Sequence, residues 1–144
     1  MKYRLNNDKI LISLSRGDRI NEVLEIFAEN KSIGCAWVNG IGAIENPEVG
    51  FYSLKDKIYN KKIFFGEFEL ISLVGNITIK DDKPFSHTHI TFSNTKFEVL
   101  GGHLFDAKVS AAGEFVLIPF DRPLNRKMNI DMGLPLWCLE KTIE

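Results

Sequence analysis

Three histidines carry the chain's most distinctive chemistry, and all three fall in one stretch, FSHTHITFSNTKFEVLGGHLFDAKV, as His87, His89 and His103. His87 and His89 are two residues apart, the spacing that sends both side chains to one face of a β-strand. A hairpin turning about Lys96 would set His89 opposite His103, with His87 one pleat along on the same face. Opposed Cβ atoms in such a pair lie ~4.5–5.5 Å apart and diagonal ones ~7–8 Å, so the three imidazoles can converge. With metal–nitrogen bonds of ~2.0–2.1 Å they form a three-nitrogen site with one open position, suited to zinc and tolerant of iron, nickel or copper. Gly101 and Gly102 allow the backbone to bend beside His103, and a bulge there would re-aim its ring. The same spacing also admits an unmetallated polar cluster, each ring bonded to backbone or water.

Other residues offer less specific chemistry. Glu67 and Glu69 alternate with Phe68 and Leu70, which sends both carboxylates to one face. They form a solvated strand edge or, if that face meets the histidines, supply a general base or a partner to the metal ligands. Lys61 and Lys62, or Arg122, Arg126 and Lys127, offer small anion-binding patches or simply solvated surface. GIGA (40–43) follows a strand but opens no helix, which argues against a dinucleotide loop. No Ser or Cys sits in a nucleophile motif. Cys35 and Cys138 read as two buried, reduced thiols, as expected in the cytoplasm.

The elements that must position these groups follow from periodicity. Lys9 to Leu14 reads as a strand. Ile20, Val23, Leu24, Phe27 and Ala28 mark one face of the only strong helical pattern, with Asp18 as its N-cap and Glu22, Glu25 and Glu29 on the solvated side. Strands are expected at 33–38, 49–54, 62–65, 68–79, 87–93, 97–105 and 114–118, with NGIGA interrupting the first two. DDKP (81–84) reads as a turn whose proline ends pairing, and 120–129 as irregular chain before a last strand within LPLWCLEK (134–141). Many antiparallel-type strands with one helix give an α+β fold, in one domain spanning residues 1–144.

Composition is that of a globular chain: 144 residues, 44% hydrophobic, 26% charged, net charge -1. That charge argues against binding nucleic acid by counterion release. The opening MKYRLNNDKI lacks a signal-peptide apolar region and no run approaches the ~20 apolar residues of a membrane span, so a cytoplasmic location is expected, with no membrane partner.

The order and spacing of VLEIFAEN, VNGIGAIENPEVGFYS, FELISLVGNITIKDDKPFSHTHI and GGHLFDAKVSAAGEFVLI resemble the PPC (plants and prokaryotes conserved) domain from about Asp18 to Ile118. The resemblance implies a twisted, mainly antiparallel sheet with one main flanking helix, assembled as a homotrimer. It implies that His87, His89 and His103 are the family's histidine cluster, which in some prokaryotic members is associated with a metal usually taken as zinc, near a subunit boundary. Plant members join this domain to AT-hooks. SRGDR (15–19) has an acid where such a hook has its second arginine, and no hook occurs in these 144 residues. Three functions follow as expectations. The first is a homotrimeric binding or assembly module with a zinc or other divalent-metal site, taking a small molecule or protein partner. The second is a metal-dependent enzyme acting on a small molecule through metal-bound water, with Glu67 or Glu69 as base. The third and weakest is DNA binding.

Overall fold

In the computed structural model, residues 1–140 are described. Nine strands and one helix run in the order β1 (Lys2–Asn6), β2 (Lys9–Ser15), α1 (Ile20–Asn30), β3 (Ala36–Ser53), β4 (Ile58–Ile63), β5 (Glu67–Lys80), β6 (Lys83–Ser93), β7 (Val99–Pro119), β8 (Arg126–Asn129) and β9 (Leu134–Trp137). The α+β reading holds: β1 to β7 form one antiparallel sheet in the order β1-β2-β7-β6-β5-β3-β4, flanked by α1, while β8 and β9 make a separate ribbon. Lys141, the last residue of the expected final strand, lies outside the described residues.

Two strands are longer than the sequence pattern suggested. NGIGA does not interrupt a strand. Instead β3 runs through it with a register shift between Gly40 and Gly42. Likewise 97–105 and 114–118 belong to one 21-residue strand, β7. A β-bulge absorbs glycine irregularity without ending pairing. Pro84 also corrects the expectation: it lies inside β6, paired with Ile79. The turn is Asp81-Asp82 alone, with φ of 51° and 61°, the pair of left-handed residues that a two-residue hairpin demands. Arg126–Asn129, expected to be irregular, pairs with Leu134–Trp137.

β3 pairs with β5 on one edge and β7 on the other, and β6 bridges β5 and β7, so the sheet curls back on itself. The curl is incomplete. β6 and β7 pair only from His89↔His103 to Ser93↔Val99, and diverge beyond. Helix α1 fills the gap. Ile20, Leu24, Phe27 and Ala28 are buried among Leu14, Ile77, Ile90, Phe92, Leu104 and their neighbours. Asn21 latches the helix to both diverging strands: its amide donates to Leu104 O (3.2 Å) and Phe105 O (3.1 Å), and its Oδ1 accepts from Thr88 Oγ1 (2.9 Å).

Asp18 is not the N-cap. Its carboxylate accepts from Ser15 N at 2.9 Å, closing the preceding turn, and no side chain on the helix's own approach caps it. Asp106 of β7 does that work from across the gap, accepting from Asn21 N at 3.2 Å and pairing with Arg19 at 3.1 Å. Burial raises the Asp106 pKa, and those donors pull it back. Glu25 is not solvated either: it is half-buried and accepts from Ser86 N of β6 at 2.8 Å. Cys35 is buried, with its thiol pKa raised by desolvation, and Cys138 is half-buried rather than buried. Both are free.

Asn21→Ala strands two carbonyls and a hydroxyl in the interior, at about 1–3 kcal/mol per unsatisfied group before relaxation. The expected loss of unfolding free energy is about 2–3 kcal/mol, read from urea denaturation. A loss no larger than that of an exposed Ala substitution would show that the latch contributes nothing.

Candidate metal centre

The hairpin turns about Lys96, as its sequence suggested. Asn94 pins it: Oδ1 accepts from Lys96 N (2.9 Å) and Glu98 N (3.1 Å), and Phe97 adopts φ 63°. The result is the His89↔His103 pair, with no bulge between there and Ser93↔Val99. Gly101 serves close approach rather than a bend, because a Cβ there would stand 2.5 Å from Ile90 O. Gly75 does the same on the other side of β6, where a Cβ would stand 2.2 Å from His87 O.

Alternation sends Ser86, Thr88 and Ile90 inward, all buried, and His87 and His89 outward. Each of the three histidines offers a nitrogen, and no two of these are more than 4.8 Å apart. The Nε2 atoms of His87 and His89 stand 3.3 Å apart. Bonds of ~2.0–2.1 Å at the tetrahedral angle hold ligand nitrogens ~3.3–3.4 Å apart, so that pair already fits a tetrahedral ion. The widest separation exceeds that edge by at most about 1.5 Å, within the reach of side-chain torsions. The rings pack with centroids 5.2–5.4 Å apart, and His103 also meets Tyr59 (4.9 Å) and Phe105 (5.0 Å). Its Nδ1 is buried without a hydrogen-bond partner, a polar atom whose burial no described side chain compensates.

The electrostatics favour neutral rings. Burial first, then the Arg126 guanidinium and His89, lowers the His87 pKa to about 4. Burial, then the other two histidines, Lys61 and Arg126, lowers that of His103 to about 4. Neutral imidazole is the ligating form, so protons do not compete for these two nitrogens near neutral pH.

Glu67 and Glu69 are not brought to the cluster. Both are exposed, and Glu69 pairs with Ser93, four β6 residues from His89, roughly 13 Å along the strand at ~3.3 Å per residue. A different carboxylate approaches. Glu25, with His87, His103, Tyr59 and Arg126, lines a cavity of about 310 Å³ that opens where β6 and β7 diverge. Burial raises the Glu25 pKa above the ordinary carboxylate range. Arg126 is turned in rather than solvated, whereas Arg122, Lys127, Lys61 and Lys62 are exposed, the last two over the rings of Phe105 and Phe64. No local signal marks Glu25 or Tyr59, because each reaches the cavity from an element paired or packed at long range. Arg126 stood among the candidate anion-binding residues.

With this geometry in view, comparison with known proteins is decisive. The model of the Plants and Prokaryotes Conserved (PCC) domain matches residues 1–121. The chain belongs to this family. A PPC protein from Pyrococcus horikoshii is 32% identical, with a TM-score of 0.86 over 98% of this chain and 97% of its own. A protein from Archaeoglobus fulgidus described as metal-containing is 35% identical, with a TM-score of 0.85 over 96% and 97%. One from Bacteroides thetaiotaomicron, described as a candidate DNA-binding protein, is 32% identical, with a TM-score of 0.93 over 97% and 98%. No curated protein matches. No helix among the described residues of this PCC domain is long and apolar enough to cross a membrane.

The lowered histidine pKa values set a pH dependence with a definite sign. Below 6.5 the unfolded chain takes up protons that folded His87 and His103 refuse until about pH 4. Stability of the metal-free protein is therefore full above about 6.5 and falls as pH drops from there towards 4. The double variant His87→Gln, His103→Gln should lose less between about pH 7 and 4.5, measured as the shift in urea midpoint. An equal loss in both proteins would count against buried neutral rings.

Proposed function

We propose that this PCC-domain protein is a self-assembling binding module, a homotrimer in which His87, His89 and His103 hold a divalent transition metal, zinc by preference. The observation that carries the metal reading is the 3.3 Å spacing of two imidazole nitrogens within a three-histidine cluster. The donor set, three nitrogens and no thiolate or carboxylate, suits zinc first and nickel, copper or iron next. The Archaeoglobus relative described as metal-containing supports it.

Assembly is supported by the outer face of the sheet. Across five strands the register aligns Leu11, Val116, Asn39, Val74 and His89. Leu11 (40% exposed), Trp37 (39%), Ile41 (56%) and Val74 (40%) leave this face apolar, and Leu11, Ile41 and Val74 line a groove of about 790 Å³. An apolar surface of this kind on a sheet is ordinarily covered. A second copy fits best, and because Val74 pairs with His89 the contact would run beside the metal.

The cavity favours a second reading, an enzyme acting on a small molecule. A bound ion supplies Lewis acidity at one wall. Glu25, whose pKa burial has raised, holds or accepts a proton on the helix side, a role the sequence had offered to Glu67 or Glu69. DNA binding has less support in this chain, whose net charge is -1 and whose outer face is apolar rather than basic.

Untagged protein should carry about one zinc or other transition ion per chain by elemental analysis and elute near three times its 16.4 kDa in light scattering. His103→Ala should lower metal content by about tenfold or more. If the trimer survives in that variant the ion serves ligand chemistry; if it dissociates the ion is structural. Protein that neither contains nor takes up a transition metal sinks both metal readings. Ile41→Asp should yield monomers.

A further inference from the structure

Arg126 is a half-buried cation with no anion. Its Nε donates to Thr78 Oγ1 (2.7 Å), its Nη1 to Pro135 O (2.8 Å), and its Nη2 to Asn76 Oδ1 (2.8 Å), while Nη2 also stands 3.3 Å from His87 Nδ1. Every one of these acceptors is neutral. No carboxylate among the described residues lies within salt-bridge distance of it. Burial depresses its pKa, and Tyr59 offsets part of that. Chains pair buried charges because leaving one uncompensated is costly. Here four acceptors hold the guanidinium in place at the wall of a cavity, and the counter-charge is missing. Glu25 lines the same cavity but is committed to Ser86 N on the helix side.

We propose that the cavity binds a small organic carboxylate with an apolar body, its head drawn between Arg126 and the metal position, its body against Phe85, Phe105, Leu134 and Leu136. The role of the metal in holding the head rests on the reading above; that of Arg126 does not. Nη2, 3.3 Å from His87 Nδ1, sets the guanidinium directly beside the histidine cluster, so a head group between them meets both.

The wall favours an anion with an apolar body over inorganic phosphate: Phe85, Phe105, Leu134 and Leu136 give it apolar surface that a bare phosphate leaves unused, beside the polar Lys80, Tyr59 and Ser86. A volume of about 310 Å³ suits a compact molecule.

Full-length protein loaded with Co²⁺ reports the site through its visible absorption, and hexanoate, acetate and inorganic phosphate serve as probes. Hexanoate should perturb the spectrum saturably and bind at least about tenfold tighter than acetate, since each buried methylene adds to affinity. Phosphate should bind more weakly than hexanoate. Arg126→Gln should weaken hexanoate by about tenfold or more. Because Arg126 also braces the ribbon, Leu134→Ser provides an independent arm: it should cut the hexanoate-to-acetate ratio to about twofold or less and leave acetate affinity unchanged. The proposal is overturned if phosphate matches hexanoate, if hexanoate binds no tighter than acetate, or if both variants bind as the parent does. Failure to take up cobalt overturns the metal reading instead. Calorimetry of hexanoate with metal-free parent and Arg126→Gln then decides the carboxylate site, and equal or absent heats in the two would end it.

Discussion

The pairing demands on β7 set everything else in the molecule. This strand satisfies β3 along most of one edge, and must divide its other edge between β6 at one end and β2 at the other. Backbone amides and carbonyls cannot be left unpaired inside a protein, so the stretch between those two partners needs another source of hydrogen bonds. Asn21 provides it at Leu104 O and Phe105 O, Asp106 at Ala107 N, and the turn before α1 at Val109, whose N and O bond Asp18 O and Gly17 N, while Thr88 ties the helix to β6. The helix therefore acts as a polar plug with an apolar underside, and its own N-terminal amide is satisfied by the strand it joins. The cavity lies at the mouth of that seam, where the helix, β6 and β7 meet but cannot close. The histidines stand at its edge because His89↔His103 is the last rung before the strands part.

A cluster placed there inherits an unusual charge balance. Three imidazoles, a guanidinium and nearby Lys61 supply cations or neutral donors, and the one carboxylate in the cavity is spoken for. His87 and His103 stay neutral because burial, and after it the neighbouring positive charges, disfavours their protonated forms. The same balance makes an incoming cation welcome only if it is ligated by lone pairs rather than attracted by charge, which is the case for a borderline-soft transition ion and not for calcium or magnesium. It also means that a loaded site would carry excess positive charge, an electrostatic demand that no described side chain answers.

How much of this was legible in the sequence depended on whether local rules were enough. The hairpin register was legible because a tight turn fixes it: Asn94 holds the bend at Lys96, and His89 must then meet His103. Helix α1 was legible from its apolar face. Strand ends were not. Gly40 and Gly42 read as a break and Gly101 and Gly102 as a bend beside His103, whereas Gly101 is there for close packing of a neighbouring strand and the Gly40–Gly42 irregularity is a register shift. Pro84 read as a stop, but Ile79 opposite it turns its own N–H away to Leu124 O and β7 does not reach that part of β6, so the missing donor costs the hairpin little. Glu25 was read as solvated because a helical wheel knows one buried face, and the strand that wraps round the other side is set by topology sixty residues away. Arg126 was legible only as a charge, since its burial comes from the β8–β9 ribbon folding over β5.

The outer face joins these threads. A sheet that curls around its own core keeps its outward residues polar if it is to remain alone in water, yet here Leu11, Val116 and Val74 stand in the row that ends at His89, with Trp37 and Ile41 flanking Asn39 on the same face. His89 is the exposed member of the cluster, whereas His87 and His103 are half-buried. Solvent competes most strongly for the ligand that is least enclosed, and covering the apolar row would also cover His89. If the proposed assembly and ion both form, they would be coupled through one residue without either requiring a conformational change. By linkage, an ion that binds the covered form better must in turn favour the covered form. The sign follows from burial alone: dilution to monomers should weaken the hold on the ion, and a filled site should tighten the assembly.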